Sequence, residues 1–326
     1  MLVTGGTGFI GSRLIPLLSG NGTEVRVLAL RRDDWEENNL ESLEASGVDV
    51  RIGSVTDPEA VHAALEGMDA VIHLAAAQSD MSDSDDHFRA VNVGGVSLLL
   101  QASAEAGIRR FVHASTVGVY GDPESTVDEN SPTHPTNIYG TTKLEGERVV
   151  RTWDQGPERV ILRLPETYGP GDRRLLKLFG PVKRGRFPMV GPGENLHQPI
   201  FVDDLAPLMQ MALESPAAVD ELFLIGGPRS ITSNEMVQAV ADAVGGPPPR
   251  IRLPMAPMAG LAVIMERTLR PLGIRPPLHT RRLDFYRKSF SIDASKAQDV
   301  LGYAPTTDFR AGAQATARWY EDHGLI

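Results

Sequence analysis

Met1-Leu2-Val3-Thr4-Gly5-Gly6-Thr7-Gly8-Phe9-Ile10-Gly11 decides the fold. A short apolar run meets glycines at 5, 8 and 11, and the chain then turns amphipathic through Leu14, Ile15, Leu17 and Leu18. That order predicts strand, tight turn and helix. Glycine permits the turn and lets the backbone approach a pyrophosphate, which would rest against the amides and the positive dipole end of the helix. Any tight strand-to-helix turn selects glycine, so the pattern alone is weak. Further apolar runs at 24–30, 48–52, 69–76, 110–116 and 159–164 alternate with helical stretches, the longest at 88–106. These βαβ units predict an α/β fold with a doubly wound parallel sheet and make a dinucleotide site the better reading.

Tyr139-Gly-Thr-Thr-Lys143 is the second decisive stretch. In the first turn of a predicted helix, positions i and i+4 share a face, which sets a phenol beside an ammonium. A phenol with an unperturbed pKa of about 10 is a poor base at neutral pH. Lowering it by roughly three units takes about 4 kcal/mol of preference for the phenolate, which an adjacent cation can supply. With 6 tyrosines and 5 lysines in 326 residues, chance gives such a pair about 0.1 times per chain. For the pair taken alone, a surface helix with a solvated lysine is the competing reading.

Composition narrows the chemistry. A chain of 326 residues, 41% of them hydrophobic, can bury a sizeable core. The net charge of −10 argues against nucleic-acid or anionic-membrane affinity, both of which need a basic surface, and leaves a small-molecule substrate. The absence of cysteine excludes disulfides, thiolate catalysis and zinc-thiolate sites, and no signal peptide precedes the first strand, so a cytoplasmic location is expected. The weakly polar stretch 253–265 is broken by Pro254 and Pro257 and is shorter than the roughly 20 residues of a bilayer span. The acidic run at 79–87 reads as a loop or helix start whose carboxylates cap a helix, and no metal site is expected.

Thr4-Gly-Gly-Thr-Gly-Phe-Ile-Gly11, His73-Leu-Ala-Ala76, Ser115-Thr116 ahead of Val119-Tyr120-Gly121, and Tyr139-x-x-x-Lys143 follow in that order. Together they resemble an extended short-chain dehydrogenase/reductase of the NAD-dependent epimerase/dehydratase superfamily, closest in pattern to hydroxysteroid-dehydrogenase-like members. The resemblance covers nearly the whole chain. It implies a Rossmann domain from 1–164 and 198–226, and a smaller, mostly C-terminal α+β substrate-binding part from 165–197 and 227–326. It implies a dinucleotide held by Gly5, Gly8, Phe9, Ile10 and Gly11, by Ser54 and Val55 at the adenine, by Leu74, Ala75 and Ala76 beside the ribose, and by Leu164, Pro165 and Thr167. Ser54 departs from the aspartate that relatives carry, and Asn92 takes the position of an asparagine that supports the active-site loop. Where the second strand ends, an acidic residue would accept hydrogen bonds from a ribose 2′-hydroxyl. Here Ala29 precedes Arg31 and Arg32, and relatives with arginine there often hold a 2′-phosphate. NADP is expected ahead of NAD, with solvated surface arginines as the competing reading.

By the same resemblance Tyr139 exchanges the proton with the substrate oxygen, and Lys143 lowers its pKa and holds the nicotinamide ribose. Thr116, helped by Ser115, orients the oxygen. Gln78, Thr116, Glu166 and His197 are the expected substrate contacts. Nucleotide-sugar relatives typically carry asparagine at the position of Glu166 and often an arginine near that of His197, and a carboxylate beside a diphosphate is repelled. For 4,6-dehydration the family needs acids directly after Thr116, where Val117 and Gly118 stand. The methionines of 251–269 suit an apolar ligand surface or the core of a small cap helix. The expected function is hydride transfer between nicotinamide and a secondary alcohol or ketone. The alternatives are a nucleotide-sugar epimerase and a non-catalytic NAD(P)-sensing protein. Relatives often form homodimers through the helix of Tyr139 and the long helix before it.

Overall fold

The computed structural model describes residues 1–31, 34–78, 84–269, 274 and 276–326, with the backbone alone at 34 and 281. Seven parallel strands form the central sheet: β1 (Leu2–Thr4), β2 (Arg26–Ala29), β3 (Asp49–Ile52), β4 (Ala70–His73), β5 (Arg110–Thr116), β6 (Glu158–Leu164) and β7 (Glu221–Leu224). Their spatial order is β3-β2-β1-β4-β5-β6-β7. The chain builds outward from β1 to β3, returns to β4 beside β1, and builds outward the other way, so the loops after β1 and β4 part at a switch point.

The strands are apolar on both faces because helices cover both. Successive side chains alternate: Val3, Val27, Ile72 and Val112 enter one core with Leu14, Ile15 and Leu205, while Leu2, Leu28, Val71 and Phe111 enter the other with Leu65 and Leu99. The helices that matter here are α1 (Gly11–Gly20), α2 (Asp34–Ala45), α3 (Pro58–Leu65), α4 (Asp85–Arg89), α5 (Gly95–Glu105) and α6 (Ile138–Thr152). Helix α1 sits hard against the glycine turn, since a Cβ at Gly11 would lie 2.4 Å from the Gly6 carbonyl oxygen. The Ser84 hydroxyl, not a carboxylate, caps α4, and Asp85 and Asp86 stand in its first turn, where they favour the helix dipole; residues 79–83 lie outside the described ones.

The long helix expected over 88–106 is interrupted. Between α4 and α5, residues 90–94 form a π-helical turn around Asn92. The buried Asn92 amide accepts from the Ala77 amide at 2.8 Å and donates to the Ala77 carbonyl at 3.0 Å and to Thr142 Oγ1 at 2.9 Å. The bulge turns this side chain away from solvent and into the loop after β4, the position at which π turns recur beside functional sites. Helix α6 starts at Asn137, whose side chain accepts from the Gly140 amide at 2.9 Å.

After β6 the chain leaves the sheet and builds short strand pairs: Thr167–Tyr168 with Ile200–Phe201, Leu196–His197 with Ile231–Thr232, and Met189–Val190 with Arg252–Leu253. These share a separate core of Phe179, Met236, Val240, Phe309 and Tyr320. Among the described residues no helix is long and apolar enough to cross a membrane.

Candidate active site

A cleft of about 1020 Å³ runs along the carboxyl ends of the strands. Gly5, with φ +69°, turns the chain out of β1, and a Cβ there would lie 2.8 Å from the Ala75 amide nitrogen. The loops after β1 and β4 can touch only because residue 5 has no side chain. Gly8, Phe9, Ile10 and Gly11 continue this end of the wall, together with Leu74, Ala75, Ala76 and Gln78. Ser115, Thr116, Tyr139, Lys143, Leu164, Pro165, Glu166, Thr167 and His197 complete the wall.

Four of the expected cofactor contacts lie elsewhere. Arg31 is 56% exposed and ion-paired with Glu37 at 3.1 Å. Ser54 Oγ is bonded to Thr56 Oγ1 at 2.7 Å. Val55 is buried and packs where α5 offers Gly95, whose Cβ would lie 2.9 Å from it, so it is a core residue and not part of the wall. Asn92 acts from behind, through the loop it holds. Arg32 lies outside the described residues.

At the end of β5, Thr116 Oγ1 accepts from the Gly118 amide at 3.1 Å. Tyr139 stands at the cleft one turn before Lys143, which is 2% exposed. Burial pushes the Lys143 ammonium down to a pKa of about 8, against the opposing pull of Glu147. Burial disfavours the charged form of two more side chains beside Lys143. His73 and His113, paired across β4 and β5, are fully buried with their rings stacked at 5.4 Å. His73 Nδ1 is bonded to Thr4 Oγ1 at 2.7 Å. Burial, with Lys143 adding to it, brings His73 to about 3 and His113 well below its ordinary value.

Ser115 differs from expectation. Its hydroxyl donates to the buried Glu147 carboxylate, so it is spent on a carboxylate inside the protein and not on a substrate oxygen. Arg163 grips the same carboxylate, Nη2 to Oε2 at 2.7 Å and Nε to Oε1 at 3.0 Å. Arg163 Nη1 also donates to Tyr120 Oη at 2.7 Å, and that phenol donates to the Asp128 carbonyl at 2.6 Å. Sequence reasoning missed this cluster, although the signal was present. Glu147 follows Lys143 by another four residues, and an acid on the buried face of a helix calls for a partner.

At the other end of the cleft, Glu166 Oε2 accepts from His197 Nδ1 at 3.1 Å. His197 is 4% exposed, and its Nε2 is bonded to Ser233 Oγ at 2.9 Å. Burial disfavours the imidazolium, yet the Glu166 carboxylate outweighs it and raises the His197 pKa; reciprocally His197, with help from Arg174, lowers that of Glu166. Arg174 is anchored on Asp172 at 2.8 Å and on the Thr167 carbonyl at 2.6 Å, with its guanidinium over the Phe9 ring at 5.6 Å. Arg173 lies over Trp35 at 5.4 Å. These arginines, also missed from sequence, bring positive charge to the glycine-turn side of the cleft.

The methionine-rich segment takes the second of its two expected roles. Helix Met255–Leu269 buries only Ala262, and none of its residues lines the cleft. Met255 and Met258 pack with Val190, Leu253 and Leu283 in a small satellite core, so they are structural. Among the described residues no group of three or more His, Asp or Glu could hold a metal.

Three known proteins are similar along nearly the full chain. The protein y4nG of Sinorhizobium fredii is 33% identical, with 98% of this chain and 78% of that protein covered. The dTDP-glucose 4,6-dehydratase of Streptomyces niveus is 30% identical over 99% and 93%. The crystal structure of the UDP-glucuronic acid 4-epimerase of Bacillus cereus in complex with NAD superposes with a TM-score of 0.80 at 24% identity, covering 99% and 98%; this likeness is one of fold. The NAD dependent epimerase/dehydratase family model matches residues 1–226, and with the glycine turn, the switch-point cleft and the Tyr139–Lys143 pair this chain belongs to that family.

Proposed function

We propose that the chain is an NAD(P)-dependent oxidoreductase acting on a secondary alcohol or ketone of a small molecule. The carrying observation is the convergence of Thr116, Tyr139 and Lys143 on one cleft with the glycine turn. The dinucleotide fits there: the pyrophosphate would meet the backbone at Gly5 to Gly11, where the absent side chains leave room, with Arg174 close by. Bound in this way, nicotinamide supplies or accepts the hydride. Thr116 orients the substrate oxygen, Tyr139 moves the proton on that oxygen, and the Lys143 ammonium favours the phenolate. Glu166, kept anionic by His197, accepts a hydrogen bond from the substrate beyond the reacting carbon. A homodimer through α5 and α6 belongs to the same reading.

A nucleotide-sugar epimerase is the second reading, favoured by Lys177 and Lys288 on the cleft wall, cations that suit a diphosphate. Glu166 opposes it by like-charge repulsion. An apolar, steroid-like substrate loses support because the methionines stand outside the cleft. The test is nicotinamide fluorescence titration with NADPH and NADH, then addition of a UDP-sugar and of a panel of secondary alcohols and ketones. Net cofactor turnover is expected with the panel. Tight UDP-sugar binding without net turnover would select the epimerase. Tyr139→Phe should lower kcat/KM about 10²–10⁴-fold while leaving cofactor affinity within about twofold; undiminished turnover removes Tyr139 from the mechanism.

A further inference from the structure

We propose that Ser115, Glu147, Arg163 and Tyr120 form a positioning device that holds Lys143 beneath Tyr139 as a cation, with Ser115 acting through Glu147. The inference rests on the Tyr139–Lys143 reading above and adds residues that touch neither substrate nor cofactor. Its basis is where the bonded atoms come from. Ser115 neighbours Thr116 on β5, Arg163 lies one residue before the end of β6, and Glu147 follows Lys143 by one turn on α6. The Glu147 carboxylate therefore ties together the three elements that carry the hydroxyl, the ammonium and the cleft wall. It accepts from Ser115 and from Nε and Nη2 of Arg163. Tyr120 and the Asp128 carbonyl fix the remaining arm. Glu147, Arg163 and Lys143 are 1%, 3% and 2% exposed, so water screens little of this.

The groups acting on Lys143 are His73 from β4, His113 from β5 and Glu147 one turn on along α6; Arg163 from β6 acts on Glu147, and Arg174 acts on Tyr139 from the cap. Among these described groups Glu147 is the one acid. Burial works to neutralise Lys143, and Glu147 is what opposes it. Without that carboxylate, Lys143 would shed its proton at lower pH and the Tyr139 phenolate would lose its stabilising charge. A purely architectural ion pair would hold the fold and leave the phenol unaffected.

The experiment is an ultraviolet titration of tyrosinate absorbance in the protein free of cofactor. Burial raises Tyr120, Tyr168, Tyr286, Tyr303 and Tyr320 above the ordinary tyrosine value, and the chain has 6 tyrosines, so any phenol ionising early is Tyr139. In the native protein one phenol should titrate below pH 9, about one unit or more under the ordinary value. In Glu147→Gln its midpoint should rise by about one pH unit, a tenfold change in proton affinity. That variant leaves Arg163 buried without its carboxylate and can fail to fold. Glu147→Met combined with Arg163→Met removes both charges and should show a rise in the same direction, because Glu147 and not Arg163 is the charge that acts on Lys143, with circular dichroism confirming the fold. An early phenol that keeps its midpoint in the folded double variant overturns the positioning role and leaves the Tyr139–Lys143 reading standing. Absence of any early phenol in the native protein overturns both.

Discussion

The floor of the cleft and its substrate wall each hold a charge in place, by opposite means. On the floor, Lys143 and Glu147 lie one helical turn apart and are almost fully buried. On the wall, Glu166 keeps 59% of its side chain exposed and is held by His197, 31 residues further along the chain. Buried charges sit in a low-dielectric setting where their interactions are strong and their geometry is fixed by packing. Exposed charges are screened and can re-pair with whatever enters. Reaction chemistry needs the first arrangement, and substrate discrimination can use the second.

The sharpest way to break this contrast is Lys143→Met. Without the cation, kcat/KM should fall about 10²–10⁴-fold, while thermal stability at pH 7 should rise. The sign follows from the shift: Lys143 has a pKa of about 8 in the fold against an ordinary 10.5. Below both values the protein carries a buried ammonium that costs folding about 3 kcal/mol. That cost disappears as the pH climbs from about 8 to 10.5. Differential scanning calorimetry at pH 7 and pH 10 should find the variant more stable at the lower pH and the gap closing at the higher. A less stable variant at pH 7 would mean the floor is not the low-dielectric site described.

The same contrast explains what could be read in advance. The glycine turn, the strand at 110–116 and the Tyr139–Lys143 pair are local patterns with fixed periods, so the central sheet and the reacting end of the cleft were legible in the sequence. Residues whose roles depend on distant partners were not. Ser115 carries the same hydroxyl whether it faces substrate or Glu147, and only the approach of α6 to β5 decides. Met255 and Met258 have helical spacing in either a pocket or a satellite core, and the placement of the helix away from the sheet chose the core. Arg173 and Arg174 follow two glycines with φ of +145° and +98° at 169 and 171, and that turn, invisible to periodicity, swings them over Phe9 and Trp35.

On the wall, Glu166→Gln should produce a smaller and differently shaped effect. The lowered pKa of Glu166 contributes stability that is present above its ordinary value and lost as the pH falls through the folded value. The raised pKa of His197 contributes stability that is present below its ordinary value and lost as the pH rises through the folded value. Both contributions are in full force between about pH 4.5 and 6.5. In the variant, proton NMR should show the His197 midpoint moving down, because burial is then opposed only by the bond to the Phe285 backbone. KM for the preferred substrate should rise about tenfold, one hydrogen bond to a charged group, with kcat changed less. A loss in kcat as large as that of Lys143→Met would place Glu166 in the chemistry and erase the division between floor and wall.

Arg31, outside the cleft wall, carries the logic of exposed pairs to the end of β2. Its ion pair with Glu37, with both side chains at least one-third exposed, is worth under about 1 kcal/mol, so a better partner can take the arginine without cost to the fold. A 2′-phosphate is such a partner, since a guanidinium binds it through charge-assisted bonds that a ribose hydroxyl cannot match. Arg31→Ala should therefore weaken NADPH binding by about tenfold, or about 1.4 kcal/mol, and change NADH affinity by less than about twofold. The melting temperature should stay within a degree or so, because an exposed pair adds little to stability. Nicotinamide fluorescence titrations of both nucleotides decide it. Equal weakening of the two would assign Arg31 to the shared part of the dinucleotide, and no weakening of either would leave the Glu37 pair as the whole of its role, with NAD the better-suited cofactor.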